Sequence, residues 1–298
     1  MIGLFDSGDG GLSVLREVHK LLPDEKYVFY GDNANCPYGE KTPEFIQDRA
    51  RKITEFLIDQ GAQIIVVACN TATAAAINTL RAEYSDTSNL AVKEKVLKLS
   101  NGRQDHLKLI GMEPAVKPAA INTKTGIIGV LATAGTLKGS KYLTTKGKYE
   151  KDVKIVEHIG QGWVELVEGG ILTGPKAEAT VKASIQPLLD EGADTLVLGC
   201  THYPFLMDTI KKISGPSIQV IDTAPAVARH LIYVMAQEHL LKEQAANEAL
   251  ARLIAESEAG ARGETLNISD SDPIPDIKLY SSSDGESLNR IFKTIYPK

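Results

Sequence analysis

Cysteine is scarce in this sequence, which has three cysteines among 298 residues and no CxxC pair. An odd count with this spacing argues against a disulfide framework and a structural zinc site, so we expect free thiols. Long apolar runs are missing too, because IIVVA and TLVLG are far shorter than the roughly 20 residues of a membrane span. The first residues show no basic leader and no cleavage site. We therefore expect a soluble, cytoplasmic protein that does not contact a membrane.

Clusters of Lys and Arg interleaved with aromatic residues are absent as well. The net charge is −5 and the pI is about 5.8, which does not fit a nucleic-acid-binding surface. A small-molecule partner is the expectation that follows. The chain is 43% hydrophobic and 24% charged, so it can bury a full core, and its length suits two domains.

Short β-branched runs alternate with helical patterns along the whole chain. This alternation predicts an α/β fold with mainly parallel sheets and crossover helices. Ligands in such sheets bind beyond the carboxyl ends of the strands, and the polar residues of this sequence are concentrated in those turns. The runs are IGLFDSG, KYVFYGD, QIIVVAC, KLIGMEP, GIIGVLAT, VKIVEHIG, TLVLGC, IQVIDTA and IKLYSSS.

Two cysteines follow predicted strands in matched settings. Cys69 ends QIIVVAC and Cys200 ends TLVLGC, and a similar length of chain separates Asp6 from Cys69 and Thr133 from Cys200. This weak internal repeat suggests two like groups that face one ligand.

The first half has an extra polar stretch at 85–106, where we expect a surface helix and loop or a partner contact. A charged helical tail at 239–264 is expected to lead into a Gly/Ser/Asp-rich loop.

A thiol pair of this kind suits proton transfer at the α-carbon of an amino acid. One group removes the proton and the other protonates the opposite face, and a cysteine pKa near 8.5 lies within reach of neutral pH. A helix N-terminus directly after each cysteine is expected to lower that pKa. His202 is the candidate proton relay for Cys200, and Asp6 is the candidate partner of Cys69, although Asp6 also suits an N-cap.

The glycine-rich opening FDSGDGGLSVLREV has a competing interpretation as a dinucleotide-binding loop. The GxGxxG pattern that starts at Gly8 requires glycine at position 13, where the sequence has Ser13. We expect instead that these glycines let the backbone approach a carboxylate closely.

Six motifs in order closely resemble the cofactor-independent glutamate racemase family, with aspartate racemases as more distant relatives. They lie between residue 2 and about residue 230, and fainter similarity continues to SSSDGESLNR. The motifs are FDSGDGGLSVLRE, YGDNANCPYGEKTPE, VVACNTATAAAI, GVLATAGTLKG, LVLGCTHYPFL and VIDTAPAVA.

The resemblance implies two pseudo-symmetric α/β domains with the active site in the cleft between them. It places residues 1–100 plus 210–298 in the first domain and 101–209 in the second. It also implies a homodimer that needs neither pyridoxal phosphate nor a metal, and that supplies D-glutamate for peptidoglycan.

Residue roles follow from the same resemblance. Cys69 matches the thiol that takes the α-proton of the D-enantiomer, and Cys200 matches the thiol that acts on the L-enantiomer. Asp6 and His202 match the residues that assist them, and Glu168 matches a further acid, although it also suits a surface helix. The resemblance implies substrate contacts from Asp6, Ser7, the Tyr38–Gly39 backbone, Asn70, Thr71, Thr133, Thr136, Thr201 and His202.

One departure from the family pattern lies at Asn33-Ala34-Asn35-Cys36, where family members usually have a Thr followed by Arg-Val. This change puts a third thiol near the cleft and removes a cation.

Three other functions stay open at this stage. They are a racemase for aspartate or another acidic amino acid, a cysteine hydrolase, and a non-enzymatic small-molecule-binding protein.

Overall fold

The chain forms two parallel β-sheets with helices on their faces in a computed structural model that describes residues 1–241, 243–261 and 274–297. All nine predicted strands are present, and every strand pair in the described ranges is parallel. The predicted α/β class is therefore confirmed. The strands are β1 (Ile2–Asp6), β2 (Lys26–Gly31), β3 (Ile64–Val67), β4 (Lys108–Ile110), β5 (Ile127–Ala132), β6 (Lys154–Ile159), β7 (Thr195–Gly199), β8 (Gln219–Asp222) and β9 (Asp276–Ser281).

The two sheets have matching strand orders. The first is β4-β3-β1-β2-β9 and the second, from its far edge, is β8-β7-β5-β6. The central strands of both are buried on both faces, which explains their unbroken apolar sequences. Since β3 corresponds to β7, Cys69 and Cys200 follow equivalent strands. The order of strands reverses beside β1 and β5, and ligands of such sheets bind at this point.

Helices cover the faces of both sheets. Thr42 illustrates how they begin, because its hydroxyl accepts a hydrogen bond from the Phe45 amide and proline follows at position 43. The helices are α1 (Leu12–Leu21), α2 (Pro43–Asp59), α3 (Asn70–Tyr84), α4 (Leu90–Leu99), α5 (Val116–Asn122), α6 (Ala134–Leu137), α7 (Ser140–Tyr149), α8 (Trp163–Glu168), α9 (Pro175–Asp190), α10 (Met207–Ser214), α11 (Ala224–Gln237), α12 (Glu243–Ala261) and α13 (Glu286–Ile295).

The chain crosses between the two halves at two points. It leaves the first sheet after β4 and enters α5, which packs on β5 and β7, and it returns after β8 through α11, which packs on α1. The chain therefore passes from one sheet to the other later in the sequence than the predicted domain boundaries at 100/101 and 209/210. Pattern alone predicts that β4 and β8 are strands, but the sheet that each one joins depends on contacts distant in sequence.

The extra stretch in the first half contains the expected helix. α4 lies within it and buries Val92 and Val96, while Leu90 is exposed. The helical tail is present as α12, and the Gly/Ser/Asp-rich loop predicted after it lies outside the described residues. In the described part of the chain, no helix combines the length and apolar character needed to cross a membrane.

Candidate active site

The two cysteines expected to carry the chemistry lie on one small cavity between the halves. Both thiols are buried and free. Of the predicted site residues, the cavity is lined by Ser7, Tyr38, Gly39, Cys69, Asn70, Thr71, Thr133, Cys200, Thr201 and His202. Asp6, Thr136 and Glu168 lie behind these residues and contact them.

Two lining residues, Pro37 and Val164, were not predicted. Pro37 directly precedes Tyr38. Val164 lies one helical turn before Glu168 on α8, and residues four apart share a helix face. A prediction that Glu168 faces the cavity would therefore also have predicted that Val164 faces it.

Helices follow the two cysteines differently. Cys69 is the N-cap residue of α3, and its sulfur accepts a hydrogen bond from the Ala72 amide at 3.4 Å. Cys200 is followed by a 3₁₀ turn at Tyr203–Leu206, and α10 begins only at Met207. The prediction of a helix N-terminus directly after each cysteine is therefore wrong for Cys200. The Thr-His-Tyr-Pro sequence turns the chain before a regular helix begins.

Asp6 connects the first thiol to the second half of the chain. Its Oδ2 accepts hydrogen bonds from the Gly11 amide at 2.6 Å and from Thr201 Oγ1 at 3.1 Å. Its Oδ1 accepts from the hydroxyl of Ser7, which lies 3.7 Å from the sulfur of Cys69. Burial raises the pKa of Asp6. Burial, followed by the charge of Asp6, also raises the pKa of Cys69 well above its usual value.

Cys200, His202 and Glu168 form a hydrogen-bonded chain. The sulfur of Cys200 lies 3.7 Å from Nδ1 of His202, and Nε2 of His202 lies 2.7 Å from Glu168 Oε1. Burial lowers the pKa of His202, but hydrogen bonds with Cys200, Cys36 and Glu168 outweigh burial and raise it well above its usual value. These hydrogen bonds favour the charged form of the imidazole beside Cys200.

Glu168 is fixed in turn by two residues that the sequence did not indicate. The amide of Asp9 donates to Oε1 at 2.7 Å, and the Asn33 side-chain amide donates to Oε2 at 3.2 Å. Burial raises the pKa of Glu168, but hydrogen bonds from His202, Asp9 and Asn33 outweigh it and lower this pKa. Burial and the charge of Glu168 raise the pKa of Asp9 to about 6. The alternative of a surface-helix role for Glu168 does not fit this position.

The glycine-rich loop packs against these side chains. A β-carbon at Gly8 would lie 2.3 Å from Glu168 Oε1, and one at Gly10 would lie 2.3 Å from His202 Nδ1. We expected these glycines to admit a substrate carboxylate. The space beside them is filled by the protein's own side chains, which could not approach if residues 8 and 10 carried a β-carbon.

Polar groups at the start of α3 and around Thr133 are arranged to bind a small charged ligand. Oγ1 of Thr71 lies 2.8 Å from Oγ1 of Thr133 and 3.3 Å from Oγ1 of Thr136. The side-chain oxygen and nitrogen of Asn70 are both buried without a hydrogen-bond partner in the protein. Buried amide groups normally have partners, so this pair is available to a ligand.

Tyr38 reaches the cavity because a buried ion pair holds its hydroxyl. That hydroxyl donates to Asp32 Oδ2 at 2.5 Å, and Arg49 binds both oxygens of Asp32 at 2.7 and 2.9 Å. Burial raises the pKa of Asp32, but the bonds from Arg49 and Tyr38 outweigh it and lower this pKa. The aromatic ring and the backbone of residues 38–39 are thereby fixed against the cavity.

The fold and the paired thiols can be compared with known proteins. A family model described as Asp/Glu/Hydantoin racemase matches residues 2–231. The chain belongs to the Asp/Glu/Hydantoin racemase family, and the predicted enzyme class, an amino-acid racemase, is confirmed.

Relatives narrow the position within the family. The chain is 44% identical over 240 residues to a glutamate racemase of Stutzerimonas stutzeri, covering 80% of this chain and 83% of that protein. It is 42% identical over 297 residues to a glutamate racemase of Pseudomonas putida, covering 100% and 94% of the two chains. These identities confirm the predicted resemblance to the glutamate racemases.

Solved structures agree with this placement. A glutamate racemase isoform from Bacillus anthracis aligns with a TM-score of 0.72 at 28% identity, covering 99% of this chain and 92% of that one. The Escherichia coli glutamate racemase in complex with L-glutamate and the activator UDP-MurNAc-Ala aligns with a TM-score of 0.69 at 28% identity, covering 99% and 95%. The predicted two-domain fold is confirmed by these neighbours.

Proposed function

We propose that the protein interconverts L- and D-glutamate by a two-base mechanism in which Cys69 and Cys200 act on opposite faces of the α-carbon. One observation carries this proposal. The two thiols follow equivalent strands of two matching sheets, and both line a single cavity. The identity of the relatives as glutamate racemases supports the choice of substrate.

The proton transfers balance without a cofactor. With D-glutamate, the Cys69 thiolate takes the α-proton, and the electron pair remains on the α-carbon, stabilised by the adjacent carboxylate. The Cys200 thiol then gives its proton to the opposite face. This leaves L-glutamate, a Cys69 thiol and a Cys200 thiolate, and the reverse sequence converts L-glutamate to D-glutamate.

The two bases have different partners in this mechanism. Asp6 lies beside Cys69, and the raised pKa of Cys69 keeps this thiol protonated while no positive charge is nearby. The ammonium group of the substrate supplies that charge inside the cavity and lowers the thiol pKa. Next to Cys200 the charge belongs to the protein, because hydrogen bonds with Cys200, Cys36 and Glu168 raise the pKa of His202 well above its usual value. Asp6 thus serves Cys69, and His202 together with Glu168 serves Cys200.

Substrate binding is assigned to the polar groups of the cavity walls. The side-chain amide of Asn70, which has no protein partner, suits the substrate ammonium and a carboxylate oxygen. The hydroxyls of Thr71, Thr133 and Thr136 form a cluster that suits a carboxylate. Ser7, Thr201 and the backbone of Tyr38–Gly39 complete the predicted contacts.

Conversion of each enantiomer tests this function directly. The purified protein, dialysed against a chelator and given no pyridoxal phosphate, is incubated with L-glutamate, D-glutamate, L-aspartate or D-aspartate, and the enantiomers are separated by chiral chromatography. We expect both glutamate samples to reach an equal mixture. Faster conversion of aspartate would support the alternative substrate, and failure to convert any of the four would refute the racemase proposal.

One observation favours a second candidate function, a cysteine hydrolase. Cys200, His202 and Glu168 resemble a nucleophile with its base and the acid that orients the base. Hydrolysis would need only Cys200. Activated-ester hydrolysis that survives Cys69→Ser, in a protein without racemase activity, would support that function instead.

The proposal extends to the use of the product, because D-glutamate made by this enzyme would be a precursor for peptidoglycan synthesis. The homodimer and the cytoplasmic location stay predictions from the sequence.

A further inference from the structure

The third thiol, Cys36, lies against the chain of groups that serves Cys200 but has no part in the proposed proton transfers. Its sulfur lies 3.9 Å from Glu168 Oε1. One ligand atom each from Cys36, Glu168 and His202 lies within 4.8 Å of the other two. A thiol, a carboxylate and an imidazole converge here from three separate segments of the chain.

We propose that Cys36, Glu168 and His202 form a Zn²⁺ site whose occupation inhibits the enzyme by breaking the hydrogen bond between His202 and Glu168 that serves Cys200. The metal binding does not depend on the proposed function, whereas the inhibition rests on it. The site is regulatory in this proposal, so racemisation itself still proceeds without metal.

The donor set selects the metal. Sulfur, imidazole nitrogen and a single carboxylate oxygen suit Zn²⁺, whereas Mg²⁺ and Ca²⁺ require sets of oxygen ligands. Three protein ligands leave a fourth tetrahedral position for water or a substrate carboxylate. Ligand atoms around tetrahedral zinc are roughly 3.3–3.7 Å apart. The 2.7 Å contact between His202 and Glu168 must therefore lengthen slightly, and the others need only small movements.

The surroundings supply a further carboxyl group and an approach from solvent. Asp9 contacts Glu168 through its amide, and its Oδ2 is buried without a hydrogen-bond partner. A β-carbon at Gly8 would lie 2.3 Å from Glu168 Oε1 and 2.9 Å from Cys36 Sγ, so glycine at this position lets both ligands lie against the backbone and close to each other. Cys36 is only partly buried and the Glu168 side chain is 20% exposed, so an ion can reach the site from solvent.

Binding would exchange protons for metal. Zn²⁺ displaces the proton of the Cys36 thiol and the proton on the ring nitrogen of His202 that becomes a ligand, and these protons pass to solvent. The Cys36–zinc and His202–zinc bonds replace the S–H and N–H bonds, with no change of oxidation state. His202 keeps its proton on Nδ1, beside Cys200, but Nε2 can no longer exchange a proton with Glu168, because both groups are bound to the metal.

Cobalt substitution reads out the site without any reference to activity. Co²⁺ is titrated into wild type, Cys36→Val, Cys69→Ser and Cys200→Ser, and the thiolate-to-cobalt charge-transfer absorption is recorded. We expect the band in wild type, Cys69→Ser and Cys200→Ser, and its loss in Cys36→Val. Absence of the band in wild type would refute the site, and so would its persistence in Cys36→Val, which would place the metal on a catalytic thiol.

Zinc inhibition is measured on the same proteins as a fraction of each variant's own metal-free rate. We expect saturating Zn²⁺ to slow wild type by about tenfold or more, with recovery on adding a chelator. In Cys36→Val the half-inhibitory Zn²⁺ concentration should rise by more than about 100-fold. Equal sensitivity of both proteins would overturn the regulatory claim. Cys36→Ser serves as a second variant if thermal unfolding shows that Cys36→Val is misfolded.

Discussion

Glu168 and His202 come from different segments of the second half, and Oε1 of Glu168 lies 2.7 Å from Nε2 of His202. The imidazole is almost inaccessible to solvent, while the carboxylate remains partly exposed. Because the opposite nitrogen of the ring faces Cys200, this contact transmits the charge of Glu168 to the second thiol. The proposed difference between the two bases depends on it.

Glu168→Gln removes the charge and keeps the shape of the side chain. We expect kcat/KM to fall by about 10- to 100-fold, equally in both directions because the equilibrium constant between enantiomers is one. The pKa of His202 should fall when the carboxylate is lost, so the high-pH limb of the rate profile should move to lower pH. Glu165→Gln, on the exposed face of the same helix, is the matched control. An unchanged pH profile would contradict this role.

Asp9 should make stability depend on pH. Its pKa in the folded protein is raised to about 6, so the folded protein holds this proton more tightly than the unfolded chain does. The free energy of unfolding should therefore fall as the pH rises from about 4 to about 6. We expect Asp9→Asn to be more stable than wild type by about 3 kcal/mol at pH 8 and to be close to it near pH 4.

Urea unfolding at the two pH values measures this gap. The exposed Asp24→Asn variant is the matched control for loss of a carboxylate. A constant difference between Asp9→Asn and wild type at both pH values would refute the burial argument.

The ion pair beneath Tyr38 should be important for stability. Asp32 is fully buried and binds Arg49 through both oxygens, so Arg49→Met leaves a buried carboxylate without its cation. We expect a loss of about 3 kcal/mol in unfolding free energy, together with weaker substrate binding as residues 38–39 loosen. Lys52→Met breaks the exposed pair with Asp48 and should change stability little. Equal stabilities of the two variants would argue against this assignment.

The threonine cluster should determine affinity. Thr133→Val keeps the volume but removes a hydroxyl that lies within 3.0 Å of both neighbouring hydroxyls. We expect KM to rise by about tenfold for both enantiomers with a smaller change in kcat, since a hydrogen bond to a charged group is lost. Thr144→Val, on the exposed face of α7, should behave as wild type. A fall in kcat at constant KM would instead place Thr133 in the proton-transfer step.

Sequence periodicity predicted the nine strands and the two cysteine turns because each signal is local. A buried strand followed by a polar turn can be read within ten residues. The pairing of β4 and β8 with their sheets depends on contacts distant in sequence, so local patterns do not show that the chain changes sheet after each of these strands. Asp9 and Asn33 were missed for a similar reason, since their contacts with Glu168 join positions more than 100 residues apart. The lack of a CxxC pair likewise carries no information about Cys36, Glu168 and His202.

Solvent exchange at the α-carbon is the most direct measurement of the two-base claim. Wild type, Cys69→Ser and Cys200→Ser are incubated with each glutamate enantiomer in deuterated water, and the α-deuterium content of each enantiomer is followed by NMR. We expect wild type to exchange and interconvert both enantiomers. Each serine variant should lose racemisation severely, with residual exchange confined to L-glutamate in Cys69→Ser and to D-glutamate in Cys200→Ser. Normal racemisation by both variants would contradict the account.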